Sequence, residues 1–367
     1  MLKIFEKDGK LSFLHSTADA FETFLRVPGT VTGKGGALRD AIDLKRIMIL
    51  AVFAVAPAAL FGMWNVGYQH NLTLGDGRLQ ILANFWYGFL KVLPLYIVSY
   101  GVGLIIEFAS AQIRNEEVNE GYLMSGMLIP LIVPVTTPLW MLALAVAFAV
   151  IFGKEVFGGT GMNIWNPALL CRAFLFFSYP NNMSGSNCWI AEPGADAVTG
   201  ATPLALGGSS AQYGTGFWDL FIGTVPGSVG ETSVIAILLG AVLLLWTGIA
   251  SWKVMASCVL GALFVGGIAQ AAGATQIPCW EQLLLGGFAF GTVFMATDPV
   301  TSAQTECGKW IYGFLIGALC ITVRLFNPGY AEGMMLAILL GNTFAPLIDH
   351  CVVSAHINAK NRKYRAA

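Results

Sequence analysis

Charge is the scarcest property of this chain. Only 11% of its 367 residues are Asp, Glu, Lys or Arg, against about 25% in an ordinary soluble domain. Four histidines occur, His15, His70, His350 and His356. None stands near the hydroxyl-rich segment at 196–203, which argues against a self-contained hydrolase triad. The seven cysteines form no CxxC pair and no Cys/His cluster, so neither a metal site nor a thioredoxin-like motif is expected. No Gly-rich dinucleotide fingerprint set in a strand–helix unit is present, so a dinucleotide site of that kind is not expected. The net charge of -1 is uninformative, because what matters is where the charges lie; no nucleic-acid partner is expected.

Apolar residues dominate instead. They make up 56% of the chain, with a mean hydropathy of +0.68. A membrane span needs roughly 20 mostly apolar residues, and runs of that kind suggest spans near 47–66, 89–109, 121–137, 139–153, 164–180, 232–250, 254–272, 283–297, 310–326 and 333–352. The third and fourth could form one hairpin. The first run starts after Arg46, too late for a cleaved secretory signal. The expected class is an all-α integral membrane protein of about ten helices.

Basic residues orient it. Lys3, Lys7, Lys10, Arg26, Lys34, Arg39, Lys45 and Arg46 precede the first span, and Lys360, Arg362, Lys363 and Arg365 follow the last. The positive-inside rule puts both ends in the cytoplasm, which requires an even number of spans. Arg114, Lys154, Lys253 and Lys309 fall at alternate connections, all cytoplasmic in a ten-span arrangement. No Lys or Arg lies between Arg172 and Lys253, so the loop at 181–231 is assigned to the outer face. The expected organisation is a cytoplasmic extension (1–45), a first five-span unit (46–180), the outer loop (181–231), a second five-span unit (232–352) and a basic cytoplasmic tail (353–367). Cys188 and Cys279 could both fall outside, where a disulfide between them is chemically open.

The halves repeat a pattern. Met127–Pro138 contains Pro134-Val-Thr, and Asn166-Pro167 follows about thirty residues later; Phe294–Thr301 contains Pro299-Val-Thr, and Asn327-Pro328 follows at similar distance. Proline inside a span frees backbone groups that only protein or a water-filled cavity can satisfy. Paired interruptions at matching positions point to a midplane ion or substrate site. Five spans per half is odd, so the second unit would be inverted relative to the first.

Ionisable groups within membrane segments cost about 2.5–3.5 kcal/mol on insertion scales and raise functional hypotheses. Glu107, Asp298 and Asp349 end or interrupt apolar runs. They could offer hard oxygen ligands to a sodium ion, or serve as interfacial residues and helix caps; Asp298, in the broken-helix element, is the strongest ion candidate. Arg172 follows Asn166-Pro167 and Arg324 stands just before Asn327-Pro328; they could pair with carboxylates, hold a polar cofactor or anchor an interface.

The outer loop carries Asp196-Ala-Val-Thr199-Gly200-Ala201-Thr202-Pro, in itself a small-residue turn presenting hydroxyls. This segment resembles the flavinylation motif in which a separate flavin transferase esterifies FMN phosphate to the last Thr. Lys154–Gly161, Asn163–Leu169, Arg172–Pro180, Phe294–Val300 and Glu332–Leu339 likewise resemble the B-subunit family of bacterial sodium-translocating NADH:quinone reductases. The resemblance runs in order through nearly the whole chain.

By that resemblance, Thr202 is the covalent FMN attachment point, recognised through Asp196, Thr199, Gly200 and Ala201; the family more often has Ser where Thr199 stands. Asn163, Asn166 and Arg172, with Phe174 and Phe176, fall where riboflavin and quinone are expected. Gly103 and Glu107 match positions associated with quinone access and sodium uptake, and Leu104 stands where the family often has a second glycine. Asp298 and Asp349 match acidic positions of the sodium path, and Phe290 and Phe294 would form an apolar constriction. The implied protein is an inner-membrane subunit of a six-subunit oxidoreductase, with ubiquinone or menaquinone as acceptor and Na+ as the pumped ion. Two other readings stay open: the D-type subunit of a ferredoxin:NAD oxidoreductase, with which Pro203-Leu204 is compatible, and a urea- or ammonium-type channel with no redox role.

Overall fold

A computed structural model of the protein describes residues 44–75, 80–114, 121–183, 188–191, 201–205, 216–327 and 332–366. Among them every regular element is helical. Ten apolar helical elements follow one another: α1 (Leu44–Thr73), α2 (Ile81–Arg114), α3 (Tyr122–Ile132), α4 (Leu139–Gly153), α5 (Pro167–Ser178), α6 (Val234–Trp246), α7 (Trp252–Ala271), α8 (Phe288–Phe290 running into Gly291–Met295), α9 (Glu306–Phe326) and α10 (Met334–Ala366). Six described helices are long and apolar enough to cross a membrane: α1, α2, α4 with its continuation to Phe157, α7, α9 and α10.

The other four are short. At 1.5 Å per residue, the 11 residues of α3 rise about 16 Å, roughly half of a hydrocarbon core about 30 Å thick. α3 is therefore too short for a full crossing, and the sequence shows why it stops. α3 gives way at Val133, extended at φ -96° and ψ 153°, because Pro134 disfavours a helical residue before it. In α8 the ladder loosens into a π-helical stretch closed by Ala296 N–H donating to Gly291 O at 2.7 Å, and Pro299 ends the segment. Caps open the next helices. The Ser233 hydroxyl accepts from Ala236 N–H, and the Thr305 hydroxyl from Gly308 N–H, supplying acceptors for otherwise orphaned amides.

Part of the packing recurs between the halves, although α1 lies extensively on α2 and α6 has no comparable contact with α7. α2 lies on α4 as α7 lies on α9; α4 on α5 as α9 on α10; α3 on α5 as α8 on α10; α1 on α3 as α6 on α8. They meet through α1 against α6 and α5 against α10, which are equivalent elements. This recurrence supports the repeat expected from the two Pro-Val-Thr segments, both of which directly follow the short helices α3 and α8. Close approach between α7 and α9 depends on glycine, since a Cβ on Gly317 would lie 1.9 Å from Cys258 O. Small residues at such contacts are how membrane helices come together.

Several expectations change. The span expected at 283–297 is the short, partly π-helical α8. The tail expected from residue 353 continues α10 to Ala366, because Val352–Ala366 contains neither Gly nor Pro to stop it. The loop at 181–231 includes a helix, Phe217–Ile222. Asn327 caps the end of α9 rather than opening α10. All seven thiols are free, so no Cys188–Cys279 disulfide forms.

Candidate functional site

The breaks in α3 and α8 and the starts of α5 and α6 converge on two polar centres. The first is a cavity of about 80 Å³ whose wall includes Lys154, Asn163, Asn166, Asp298, Phe294 and Thr297. Asn166 is the N-cap of α5. Its Oδ1 accepts from Ala168 N–H at 3.0 Å and Leu169 N–H at 3.5 Å. That leaves Nδ2 to donate to Asp298 Oδ2 at 3.3 Å. Asp298 also accepts from Val300 N–H and the Thr301 hydroxyl, each at 3.1 Å. The second-half Pro-Val-Thr turn thus fixes this carboxylate, and the first-half Asn-Pro element meets it.

Lys154, at the end of α4, donates its ammonium to Glu107 on α2, with each side chain only 4% exposed. Glu107 lies one helical turn beyond Gly103. A Cβ on Gly103 would fall 2.0 Å from the Tyr122 ring, and the Tyr122 hydroxyl donates to Ser99 O at 3.0 Å. Glycine is thus required for this contact, while Leu104 is half-buried against the core.

The second centre is a charge network. Arg172 Nη1 lies 2.6 Å from Glu231 Oε1, and its Nη2 lies 3.7 Å from Glu332 Oε2. Ser228 donates its hydroxyl to Glu231, and Gly287 N–H donates to Glu332. Arg324 donates to Gln282 O at 2.6 Å, Leu285 O at 2.8 Å and Glu332 O at 3.2 Å. Beside the network is a recess of about 30 Å³ lined by Thr202, Leu204, Leu220, Val225, Glu231 and Gly286, among others. Thr202 is half-buried, and its Oγ1 accepts from Ala205 N–H at 3.2 Å.

Phe290 and Phe294 link the two centres, with ring centroids 5.0 Å apart. Phe294 is on the cavity wall. Phe290 is fully buried and packs at Gly230, where a Cβ would come within 3.0 Å of its ring. Gly230 in turn bonds Leu131 O of the broken α3 at 2.8 Å and is followed by Glu231.

The expected residues therefore divide. Asn163, Asn166, Asp298 and Phe294 share the cavity. Arg172 belongs to the carboxylate network; of the three roles open to it, the structure displays pairing. Phe174 stacks on Phe148 at 4.7 Å, in an open apolar groove of about 500 Å³ with Trp165, Leu170, Phe177 and Leu340. Phe176 packs against Phe177. Asp349 accepts from Gln304 N–H, Thr305 N–H and the Thr305 hydroxyl at 2.8, 3.0 and 2.6 Å, so it braces the start of α9. Asp196, Thr199 and Gly200 lie outside the described residues; Ala201 adjoins Thr202 and is half-buried.

Glu231, Glu332 and Lys154 do not stand out in the sequence as site residues. The signal for them is indirect. Arg172 and Arg324 stand in apolar runs, and buried cations require partners.

The chain matches the model of the NQR2, RnfD, RnfE family over residues 32–358. It is 43% identical over 388 residues to the B-subunit of the Na(+)-translocating NADH-quinone reductase of Chromohalobacter salexigens, covering 98% of this chain and 94% of that protein. The corresponding B-subunit of Ectopseudomonas mendocina is 44% identical, with 97% and 96% covered. That of Klebsiella pneumoniae is 43% identical, with 98% and 97% covered.

Proposed function

Because the chain belongs to the NQR2, RnfD, RnfE family, with relatives matched nearly end to end, we propose that it is the B-type membrane subunit of a sodium-pumping NADH:quinone oxidoreductase of the bacterial inner membrane, with both termini cytoplasmic. It carries FMN esterified to Thr202 by a flavin transferase, holds riboflavin, contributes to the ubiquinone or menaquinone site and forms part of the Na+ path. Five partner subunits complete the complex. The relatives' shared name favours this over the ferredoxin-linked reading and over a channel.

The observation that carries it is the arrangement of two polar centres joined by an aromatic pair. A redox-driven ion pump needs charged sites that can be loaded separately and a barrier between them. Thr202, at a recess, would hold the flavin phosphate through its hydroxyl. Asn163, on the cavity wall, would offer its amide to the polar edge of a second flavin, with Asn166 fixing Asp298 beside it. The flavins supply one-electron chemistry when bound.

The chain's own residues do the rest. Asn166 and Thr301 hold the Asp298 carboxylate toward the cavity, where it offers a hard oxygen to sodium. The Glu107 carboxylate is the uptake ligand. Phe290 and Phe294 exclude water between the centres, so an ion passes only when the rings part. Asp349 braces α9 at the cytoplasmic side of the path. The groove holding Phe174, with the neighbouring Phe176, accommodates the apolar quinone; Gly103 and Leu104 lie apart from it on the helix that carries Glu107. The deciding experiment is the quinone reductase activity of the native complex with NADH. Stimulation by NaCl is expected; ferredoxin-dependent NAD reduction in its place overturns the reading.

A further inference from the structure

Lys154 occupies an unusual position. Its ammonium is bonded to Glu107, and both side chains are almost fully buried. Such a pair is a poor way to gain stability, because desolvating two charges largely offsets their attraction and an apolar pair would do as well. A second relationship suggests why it exists. Lys154 is on the wall of the cavity with Asn166 and Asp298, whereas Glu107 is not. A cation in the cavity therefore faces the lysine, with Glu107 bonded to that lysine outside the cavity wall. Arg114, the other nearby cation, is committed to Glu155.

We infer that Lys154 is a tethered cation that competes with sodium for Glu107. In the empty state the ammonium holds the Glu107 carboxylate. When sodium takes that carboxylate, the four-carbon stem turns the ammonium into the cavity, where the Asp298 carboxylate faces it. Sodium thus binds by exchange, and the buried region never holds two uncompensated carboxylates. This deepens the pump reading above and rests on it. Lys154 acts here as a positioning residue, setting the affinity of Glu107 for the ion.

The test uses the purified complex carrying Lys154→Met or Lys154→Arg, with two readouts. One is the half-saturating NaCl concentration for NADH:quinone activity, at ionic strength held constant with choline chloride. The other is equilibrium binding of radioactive sodium. Removing the competitor in Lys154→Met is expected to lower the half-saturating sodium about tenfold. Arg, which can pair more firmly with a carboxylate through its planar fork, is expected to raise it severalfold. A merely structural lysine would not shift sodium affinity in opposite directions. If Lys154→Met does not assemble, Lys154→Arg carries the test alone. Wild-type affinity in the variants, or a shift of both in the same direction, overturns the inference while leaving the pump reading intact. A wild-type complex indifferent to sodium overturns both.

Discussion

Arg172 Nη1 sits 2.6 Å from Glu231 Oε1 in the protein interior, and Glu231 also lines the recess that holds Thr202. An arginine in α5 is thereby tied to the proposed flavin site through one carboxylate. Removing it leaves Glu231 and Glu332 facing each other in a buried setting, which typically costs about 3–5 kcal/mol. Arg172→Ala is expected to lower the thermal unfolding temperature of the detergent-solubilised complex sharply, and Arg172→Lys less so. An unchanged melting temperature in Arg172→Ala would show that the network does not support the fold.

Asp349 separates a structural role from an ion-path role. Its carboxylate satisfies amides at the start of α9, and losing such a cap costs about 0.5–2 kcal/mol. Asn retains an acceptor oxygen while losing the charge. Asp349→Asn is expected to keep most of the stability and to raise the sodium requirement of quinone reduction, whereas Asp349→Ala loses on both counts. Equal sodium affinity in wild type and Asp349→Asn would confine the residue to capping.

Gly103→Ala places a methyl group where the Tyr122 ring lies. Overpacking of this kind costs about 1–3 kcal/mol. The expected outcome is a lower melting temperature together with a changed KM for quinone, because the displaced ring sits beside the helix that carries Glu107. Unaltered stability would mean that the ring moves aside freely.

Cysteine labelling tests the local environments. Burial pushes the Cys188 thiol up to about 11, so only about one molecule in ten thousand is thiolate at pH 7, and the thiolate is the reactive form. Cys307 and Cys351 are exposed on the isolated chain. In the purified protein, maleimide is expected to modify those two rapidly and Cys188 slowly. Fast labelling of Cys188, read by peptide mass, would contradict the packing at Thr136, whose hydroxyl donates to Cys188 O at 3.0 Å.

Much of the architecture was legible in the sequence because membrane helices announce themselves by composition. Apolar runs located most of the helices, and Pro134 and Pro299 stand at breaks, although Pro57, Pro94 and Pro346 lie inside continuous helices, so proline alone does not mark a break. The length of α8 was not legible: the apolar run through Phe288–Met295 gives no sign that the backbone leaves the α ladder there. Asp298 and Asn166 could each be suspected, one as a charge in an apolar run and the other as part of a repeated Asn-Pro. Their meeting depends on how the two halves interlock, which no local pattern encodes. The same holds for Glu231 and Lys154. Each is an ordinary loop-edge charge in sequence, and only tertiary packing reveals what it faces. The role of Thr202 was carried by the family motif, since its chemistry alone shows an accessible hydroxyl and no more.

The central claim is a flavin bound covalently at Thr202, and in-gel fluorescence of the denatured chain tests it most directly. A fluorescent band is expected for the wild-type protein made in a strain possessing the flavin transferase, and none for Thr202→Ala. A fluorescent Thr202→Ala band, or a dark wild-type band in that strain, would contradict it.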